Sequence, residues 1–467
     1  MTTFFLPELL YCSDGRFRSG VGLLVSDGGR ILGITEKPEG ELCSVVNLNG
    51  KALLPGFINS HSHSFQRLIR GKSESRSLTG SDFWSWRELM YYAAGKLDPA
   101  DIYDVARMAF LEMALTGITI VGEFHYLHRA PNGRPYDDPN LLSKTIIDAA
   151  CSVGLRIVLL RVAYQRSGYA VSANPGQARF FESTHDFLVN TAALLDEFSA
   201  GSERVCIGVA PHSIRAVPLE NLGEIIEWAR KSELPIHMHV AEQPDEVSAC
   251  EREYGSTPLA LLEREKLLGP DFTAVHAIHV SEHEMDQFAG TGGTICSCPT
   301  TERNLGDGVV SADQLALRGI RIAVGSDSQV QIDPLEDARG LDYHLRLTRT
   351  QRVILDRIRD EELSTRLFTC ATKNGAKSLM VQGGDFKAGS PADFFTVDLS
   401  DPCIAGSSGD DLLPLIVFSL NRSAICDVAV GGKLIVRDHS HPLQQEIISR
   451  YQGVHRKVWM QPALSAS

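Results

Sequence analysis

The sequence has 467 residues, of which 43% are hydrophobic and 22% are charged, and its 58 acidic and 45 basic side chains give a formal net charge of -13. This length and composition predict a globular protein with a large core, and they exclude a fibrous or largely disordered chain. No apolar run approaches the roughly 20 residues of a membrane span. Because no dense Lys/Arg stripe is present, we expect neither nucleic acid nor a membrane as a partner.

The first residues and the cysteines indicate the cellular compartment. The start of the chain has no basic leader followed by an apolar stretch and a cleavage site. The ten cysteines are scattered and form no CxxC pair. We therefore expect a cytoplasmic protein with reduced thiols, in which any metal ion is bound by His, Asp or Glu.

The N-terminal segment, residues 1–54, alternates short apolar stretches with turns, and Asp27, Gly28 and Gly29 suit a hairpin. Residues 55–382 then alternate apolar strand candidates with amphipathic helical stretches. The eight strand candidates are LLPGFINS, TIVGEFHY, RIVLLRVAY, VCIGVAPHS, PIHMHVAEQ, FTAVHAIHV, GTICSCPT and IRIAVGSDS. This alternation predicts a (β/α)8 TIM-like barrel.

The C-terminal segment, residues 383–467, returns to strand alternation in ADFFTVDL and DVAVGGKLIVRD and ends in the helical pattern QQEIISRYQGVHRKVW. Because these strands and the N-terminal segment flank the barrel in sequence, we expect them to pair into one small β-sandwich. The predicted organisation is therefore a barrel, a sandwich built from both ends of the chain, and a closing helix.

Histidines and one aspartate mark a candidate metal site. His61 and His63 follow LLPGFINS, and their i, i+2 spacing places both imidazoles on one face of a strand. His239 and Asp327 end two further strand candidates, at the edge where barrel enzymes build their sites. Imidazole and carboxylate ligands suit Zn²⁺, and a catalytic zinc site keeps one position for a water molecule.

Two further groups near these strand ends are candidates for proton transfer. Glu242 lies three residues after His239 in the fifth strand candidate, and His276 follows the apolar run FTAV of the sixth. His237 and His279 lie close to these positions, and for them we favour a packing role or a supporting role behind a ligand.

The order HxH, HxxE, H and D resembles the amidohydrolase superfamily, in particular its deaminases with one metal ion. Over nearly the whole chain, HSHSFQR, FWSWRELMYY, GEFHYLHRAPNGRPY, PHSIRAV, HMHVAEQ, VHAIHV, TTERNLGDG and GSDS resemble the family of formimidoylglutamate deiminases. The resemblance implies one zinc ion per chain and a set of site residues. The implied metal ligands are His61, His63, His239 and Asp327, the implied catalytic residues are Glu242, His276 and Asp327, and the implied substrate-binding residues are Gln66, Arg87, Tyr126, His212 and Arg215.

The activity implied by the resemblance is hydrolysis of N-formimino-L-glutamate to N-formyl-L-glutamate and ammonia, a step of histidine degradation. A substrate with two carboxylates suits the guanidinium forks of Arg87 and Arg215. Glu242 would protonate the formimino nitrogen, and either His276 or Asp327 would be the first base. Barrels of this kind often dimerise, so we expect a homodimer.

Alternative functions remain on the same scaffold. One is another deaminase that acts on guanine, an adenosine derivative or an amidine, and a second is a barrel without catalytic activity. Gln329 stands where the family pattern suggests histidine, and Arg303 stands where it suggests a small residue. Since both are expected near the barrel mouth, they bear on the substrate range.

Overall fold

The computed structural model describes residues 2–38, 43–74, 83–169, 171, 175–198 and 203–460. The β-strands within these residues are β1 (Thr2–Tyr11), β2 (Phe17–Arg18), β3 (Gly22–Ser26), β4 (Ile31–Thr35), β5 (Cys43–Pro55), β6 (Phe57–Ser62), β7 (Ile118–His125), β8 (Arg156–Ala163), β9 (Val205–Pro211), β10 (Ile236–Val240), β11 (Phe272–His276), β12 (Thr294–Ser297), β13 (Arg321–Val324), β14 (Phe394–Asp398), β15 (Ile425–Val430) and β16 (Lys433–Val436). The α-helices are α1 (Phe83–Ala94), α2 (Pro99–Leu115), α3 (Leu141–Val153), α4 (Thr184–Phe198), α5 (Leu219–Lys231), α6 (Pro244–Tyr254), α7 (Pro258–Arg264), α8 (Glu282–Ala289), α9 (Pro299–Leu305), α10 (Ala312–Leu317), α11 (Pro334–Arg349), α12 (Leu363–Cys370), α13 (Lys373–Ser378), α14 (Leu412–Ser419) and α15 (Gln444–Trp459).

Strands β6 to β13 form one parallel sheet in sequence order, and the two end strands meet to close it into a barrel. The closure is a bridge between Ser62 and the segment after β13, in which the Asp327 amide donates to the His61 carbonyl and the His63 amide donates to the Asp327 carbonyl, both at 3.0 Å. A Cβ at Gly325 would lie 2.7 Å from the Cβ of His61, so this approach requires glycine. The predicted barrel is confirmed.

The barrel strands are buried on both faces because helices cover their outer side. Every residue of β7 and β8 is buried. Helix α5 illustrates the covering layer, since its buried residues Leu222, Ile225, Ile226 and Ala229 recur at the helical period and form one apolar stripe.

The two ends of the chain share a second, mixed sheet in the order β16-β15-β14-β5-β1-β3-β4, with β2 beside β1. Strand β14 joins the C-terminal part to β5 in antiparallel pairing. The sheet curls until the hairpin β3–β4 meets the segment before β14, where the Ala392 amide donates to the Gly29 carbonyl at 2.9 Å. Gly29 has a φ of 75°, and a Cβ there would lie 2.3 Å from the Gly431 carbonyl oxygen. The predicted pairing of both ends is confirmed, whereas the domain boundaries at residues 54 and 382 stay predictions.

The closing helix α15 packs beside the end of the barrel where β6 terminates. The Tyr451 hydroxyl accepts a hydrogen bond from Arg67 at 3.1 Å, and the Trp459 indole donates to the Leu68 carbonyl at 3.1 Å. Both partners lie in the short 3-10 helix that follows the HxH segment. In the described part of the chain, no helix is both long enough and apolar enough to cross a membrane.

Candidate metal centre and active site

Four buried side chains converge at the end of the barrel where β6 and β10 terminate. The Nε2 atom of His61 lies 3.1 Å from Nε2 of both His63 and His239. The Asp327 Oδ1 atom lies 3.2 Å from Nε2 of His63 and 3.6 Å from Nε2 of His61. All four ligand atoms lie within 4.8 Å of one another. The structure therefore brings together the four residues predicted to bind metal.

Hydrogen bonds from the Nδ1 atoms of His63 and His239 fix which nitrogen of each ring carries the proton. Nδ1 of His63 donates to the Phe124 carbonyl at 2.9 Å, and Nδ1 of His239 donates to the His212 carbonyl at 3.1 Å. A neutral imidazole that donates through Nδ1 carries a lone pair on Nε2. Burial lowers the pKa of His61 and of His239 well below the usual value. Lone pairs and a carboxylate that face one another this closely suit a bound cation, and the three-nitrogen, one-oxygen donor set fits zinc.

A buried carboxylate on β7 supports the HxH segment. Glu123 accepts hydrogen bonds from the Ser64 amide at 2.7 Å and the Ser64 hydroxyl at 2.6 Å, and it also accepts one from Ser62. The Gln329 amide reaches the same Ser62 hydroxyl at 2.8 Å. Ser62 and Ser64 flank His63, so the Glu123 carboxylate helps to orient this candidate ligand without belonging to the metal group itself.

The two predicted proton-transfer groups lie beside the metal group. Nε2 of His276 is 3.7 Å from Oε1 of Glu242 and 3.7 Å from Oδ2 of Asp327. Burial raises the pKa of Glu242 to about 7, although His276 opposes the shift. Burial lowers the pKa of His276, but Glu242 and Glu302 outweigh it and raise this pKa well above its usual value. A cation bound by the four neighbouring ligands would lower the pKa of His276 again, because like charges repel. Glu242 can thus hold a proton near neutral pH.

Strained backbone accompanies these groups. His276, Ala277 and Asp327 have φ values of 69°, 49° and 46°, in the left-handed region that non-glycine residues rarely occupy. Each such residue costs on the order of 1 to 3 kcal/mol and persists where surrounding contacts fix it. The chain therefore turns sharply at two strand ends and presents His276 and Asp327 to the same space.

A cavity opens from the metal group, and the predicted substrate-binding residues line it. It also contains aromatic and apolar residues that the sequence did not single out. The lining residues are His63, Gln66, Trp86, Arg87, Met90, Tyr91, Tyr126, Tyr164, Phe180, His212, Arg215, His239, Glu242, His276, Leu305 and Asp327. One enclosed space therefore holds the proposed metal ligands, the proton-transfer groups and two guanidinium groups.

The polar groups of the cavity wall are held in defined orientations. The Gln66 amide donates to the Tyr126 hydroxyl at 2.7 Å. Arg87 comes from α1 and lies over the Tyr91 ring, with its Cζ 5.6 Å from the ring centroid. Arg215 is 8% exposed, and within the described residues its Nη1 has no hydrogen-bond partner. This guanidinium is buried and available to an anion in the cavity.

The two departures from the family pattern do not line this cavity. Gln329 is fully buried, and its side chain bonds to Ser62 and to the Asp327 carbonyl. Arg303 lies on α9 with a 41% exposed side chain and pairs with Glu336 at 2.8 Å. The expectation that these residues bear on substrate range therefore finds no support in their contacts.

The two neighbouring histidines have packing roles, as expected. His237 Nε2 donates to the Ser378 carbonyl at 2.8 Å, and His279 Nε2 donates to the Asp307 carbonyl at 2.8 Å. Neither belongs to the four-residue metal group.

Sequence reasoning missed the carboxylate behind His276. Glu302 Oε1 lies 3.3 Å from Nδ1 of His276, and both side chains are 1% exposed. The signal in the sequence was a glutamate just after the seventh strand candidate, in SCPTTERN, at the same edge of the barrel as the other site residues.

Comparisons with known proteins identify the family of the chain. Residues 52–435 match the amidohydrolase family. Formimidoylglutamate deiminase from Pseudomonas aeruginosa is 35% identical over 393 residues, which cover 84% of this chain and 86% of that protein. The crystal structure of an amidohydrolase from Brucella melitensis is similar at 31% identity with a TM-score of 0.88, covering 98% of this chain and 99% of the other.

A more distant structure has the same fold. It is an adenosine deaminase from Xanthomonas campestris with bound zinc, at 19% identity and a TM-score of 0.82, covering 98% of this chain and 99% of that chain. The family match spans most of the sequence, including all the site residues. The chain therefore belongs to the amidohydrolase family, and it is a hydrolase that acts on C–N bonds.

Proposed function

We propose that this hydrolase converts N-formimino-L-glutamate and water to N-formyl-L-glutamate and ammonia, as a step of histidine degradation. The observation that carries the proposal is that one cavity contains the four-residue metal group, Glu242 and the guanidinium groups of Arg87 and Arg215. A dicarboxylate with a reactive amidine end needs cations that bind its carboxylates. It also needs a metal ion and a proton donor for hydrolysis of the amidine. The name of the Pseudomonas aeruginosa relative supports the same substrate.

Arg87 and Arg215 bind the glutamate portion of the substrate. A guanidinium binds a carboxylate through two parallel hydrogen bonds, and such charge-assisted pairs are stronger inside a protein than in water. Arg215 is buried and has an unpartnered nitrogen among the described residues, which suits an incoming carboxylate. An uncharged purine would offer no carboxylate to the buried Arg215 guanidinium, so the cavity favours an anionic substrate.

The metal is one zinc ion per chain, held by His61, His63, His239 and Asp327. When bound, zinc supplies the Lewis acid that makes a water molecule acidic enough to attack at neutral pH. The Phe124 and His212 carbonyls accept hydrogen bonds from Nδ1 of His63 and His239, respectively. These bonds leave Nε2 of each ring as the atom that can bind the metal.

The protein side chains move the protons of the reaction. A C–O bond forms between water and the formimino carbon, the bond to the terminal nitrogen breaks, and both water protons end on the departing ammonia. His276 or Asp327 takes the first proton, because both side chains line the cavity next to the proposed metal ligands. Glu242, whose pKa burial raises to about 7, delivers a proton to the leaving nitrogen.

Product analysis tests the proposal. The zinc-loaded enzyme incubated with N-formimino-L-glutamate should release ammonia and N-formyl-L-glutamate in equal amounts, and metal analysis should find about one equivalent per chain. Chelator-treated enzyme is the control and should be inactive until zinc is restored. Absence of turnover, or full activity without metal, would contradict the proposal. The homodimeric state and the cytoplasmic location stay predictions.

A further inference from the structure

Glu302 contacts the ring nitrogen of His276 that points away from the reacting groups. While Nε2 of His276 faces Glu242 and Asp327 at 3.7 Å, its Nδ1 lies 3.3 Å from Oε1 of Glu302. Both side chains are only 1% exposed, so water does not compete for this contact.

The Glu302 carboxylate is itself fixed by donors. Its Oε1 accepts from the Cys298 amide at 2.7 Å, and its Oε2 accepts from the Ser297 hydroxyl at 2.9 Å. Among the described residues no Lys or Arg lies within 4.0 Å of this carboxylate, and His276 is its ion-pair partner. A carboxylate surrounded by donors is an acceptor, so Nδ1 of His276 must carry a proton in this contact.

We propose that Glu302 is a positioning residue that accepts a hydrogen bond from Nδ1 of His276, so that the ring keeps its proton on Nδ1 and directs Nε2 toward Glu242 and Asp327. The inference rests on the proposed function only for the identity of the substrate. An imidazole has one free lone pair when neutral, and its second nitrogen decides where that lone pair lies. Through this contact Glu302 controls a residue that faces the reacting atoms without touching them itself.

The backbone of His276 adds to the need for such a contact. Its φ of 69° is in the left-handed region, which a histidine adopts only when neighbouring interactions hold it. A ring on a strained strand end can otherwise turn, which would move Nε2 away from Asp327. The bond to Glu302 fixes the ring orientation together with its tautomer.

Replacement by glutamine separates this role from simple packing. Glu302→Gln keeps the shape, but the amide can donate to Nδ1 and so favours the tautomer with the proton on Nε2. We expect kcat to fall by about 10- to 100-fold, the usual cost of losing such a supporting partner, with KM and bound zinc unchanged. Glu302→Asp retains the acceptor and should recover part of the loss. Arg303→Ala, at the exposed neighbouring position of α9, is the matched control and should behave as wild type.

A double-mutant cycle tests whether Glu302 acts through His276. The His276→Asn variant should be strongly impaired, and adding Glu302→Gln to it should cause no further loss of kcat. Equal factors in both backgrounds would overturn the proposal, because they would mean that Glu302 supports the fold. A Glu302→Gln variant with wild-type kcat and intact zinc would overturn it as well.

The histidine tautomer can be read directly in wild-type protein, and a variant is needed only to assign the signal. In zinc-loaded wild-type protein labelled with ¹⁵N-histidine, the His276 signal, assigned by its loss in His276→Asn, should carry its proton on Nδ1. A proton on Nε2 alone would overturn the proposal. This measurement needs no turnover, so it stands even if N-formimino-L-glutamate proves not to be the substrate, which the product analysis decides separately.

Discussion

Loss of the Arg215 guanidinium should lower kcat/KM for a substrate that has carboxylates and leave it nearly unchanged for a substrate that has none. In the Arg215→Met variant the cavity keeps its apolar volume but loses a buried cation whose Nη1 has no hydrogen-bond partner among the described residues. A hydrogen bond to a charged group contributes about 1.5 to 3 kcal/mol, which is roughly 10- to 150-fold in kcat/KM. Arg215→Lys keeps the charge but loses the planar fork, so it should remain clearly impaired.

The assay is ammonia release from two amidines, one that has the glutamate portion with its two carboxylates and one that lacks it. N-formimino-L-glutamate should lose the factor given above, whereas slow hydrolysis of formamidine, which has no carboxylate, should be nearly unchanged. Arg303→Met, which removes an exposed arginine of α9, is the control for a change in charge alone. If both substrates lose the same factor, Arg215 supports the fold or the metal group, and the reasoning is refuted.

Three further predictions follow from buried carboxylates. Glu242→Gln should keep the metal but lose at least about 10²-fold in kcat because the amide cannot carry a proton, and wild-type turnover with metal intact would exclude Glu242 as proton donor. Glu123→Gln should weaken zinc binding by about 10- to 100-fold in a competition titration with a chelator, since Glu123 holds the HxH segment; unchanged affinity would contradict that role. For Glu182, burial raises the pKa, but His128 and Arg161 outweigh it and set the pKa at about 2, below the usual 4.5. Its ionised form therefore stabilises the fold above about pH 4.5 by on the order of 3 kcal/mol, and this is lost as the pH falls toward 2. The difference in unfolding free energy between wild type and Glu182→Gln should shrink over that pH range, and a constant difference would mean that His128 and Arg161 do not hold Glu182 in its ionised form.

The barrel and the metal group could be predicted because their signals are local. Eight apolar strands alternate with helices, and His61, His63, His239 and Asp327 each stand at a strand end, where parallel topology brings them together. The pairing of the two chain ends was also predicted, because both segments have strand alternation and they flank the barrel in sequence.

Other features could not be read because their partners are distant in sequence or belong to the backbone. The Phe124 and His212 carbonyls that orient two ligands leave no mark in the side-chain pattern. Gln329 was expected near the barrel mouth, yet it turns inward to Ser62, 267 residues away in sequence. Glu302 lies on α9, and its carboxylate reaches His276 only because the chain turns between β12 and α9.

The most direct test of the account is a comparison of kcat/KM for ammonia release by the zinc-loaded enzyme from N-formimino-L-glutamate, guanine, cytosine and adenosine. Because the cavity joins the metal group to two guanidinium groups, N-formimino-L-glutamate should be favoured by at least about 10²-fold over each neutral base or nucleoside, the combined effect of two charge-assisted contacts at the low end of their range. A neutral substrate that is turned over as well as or better than the dicarboxylate would contradict the account.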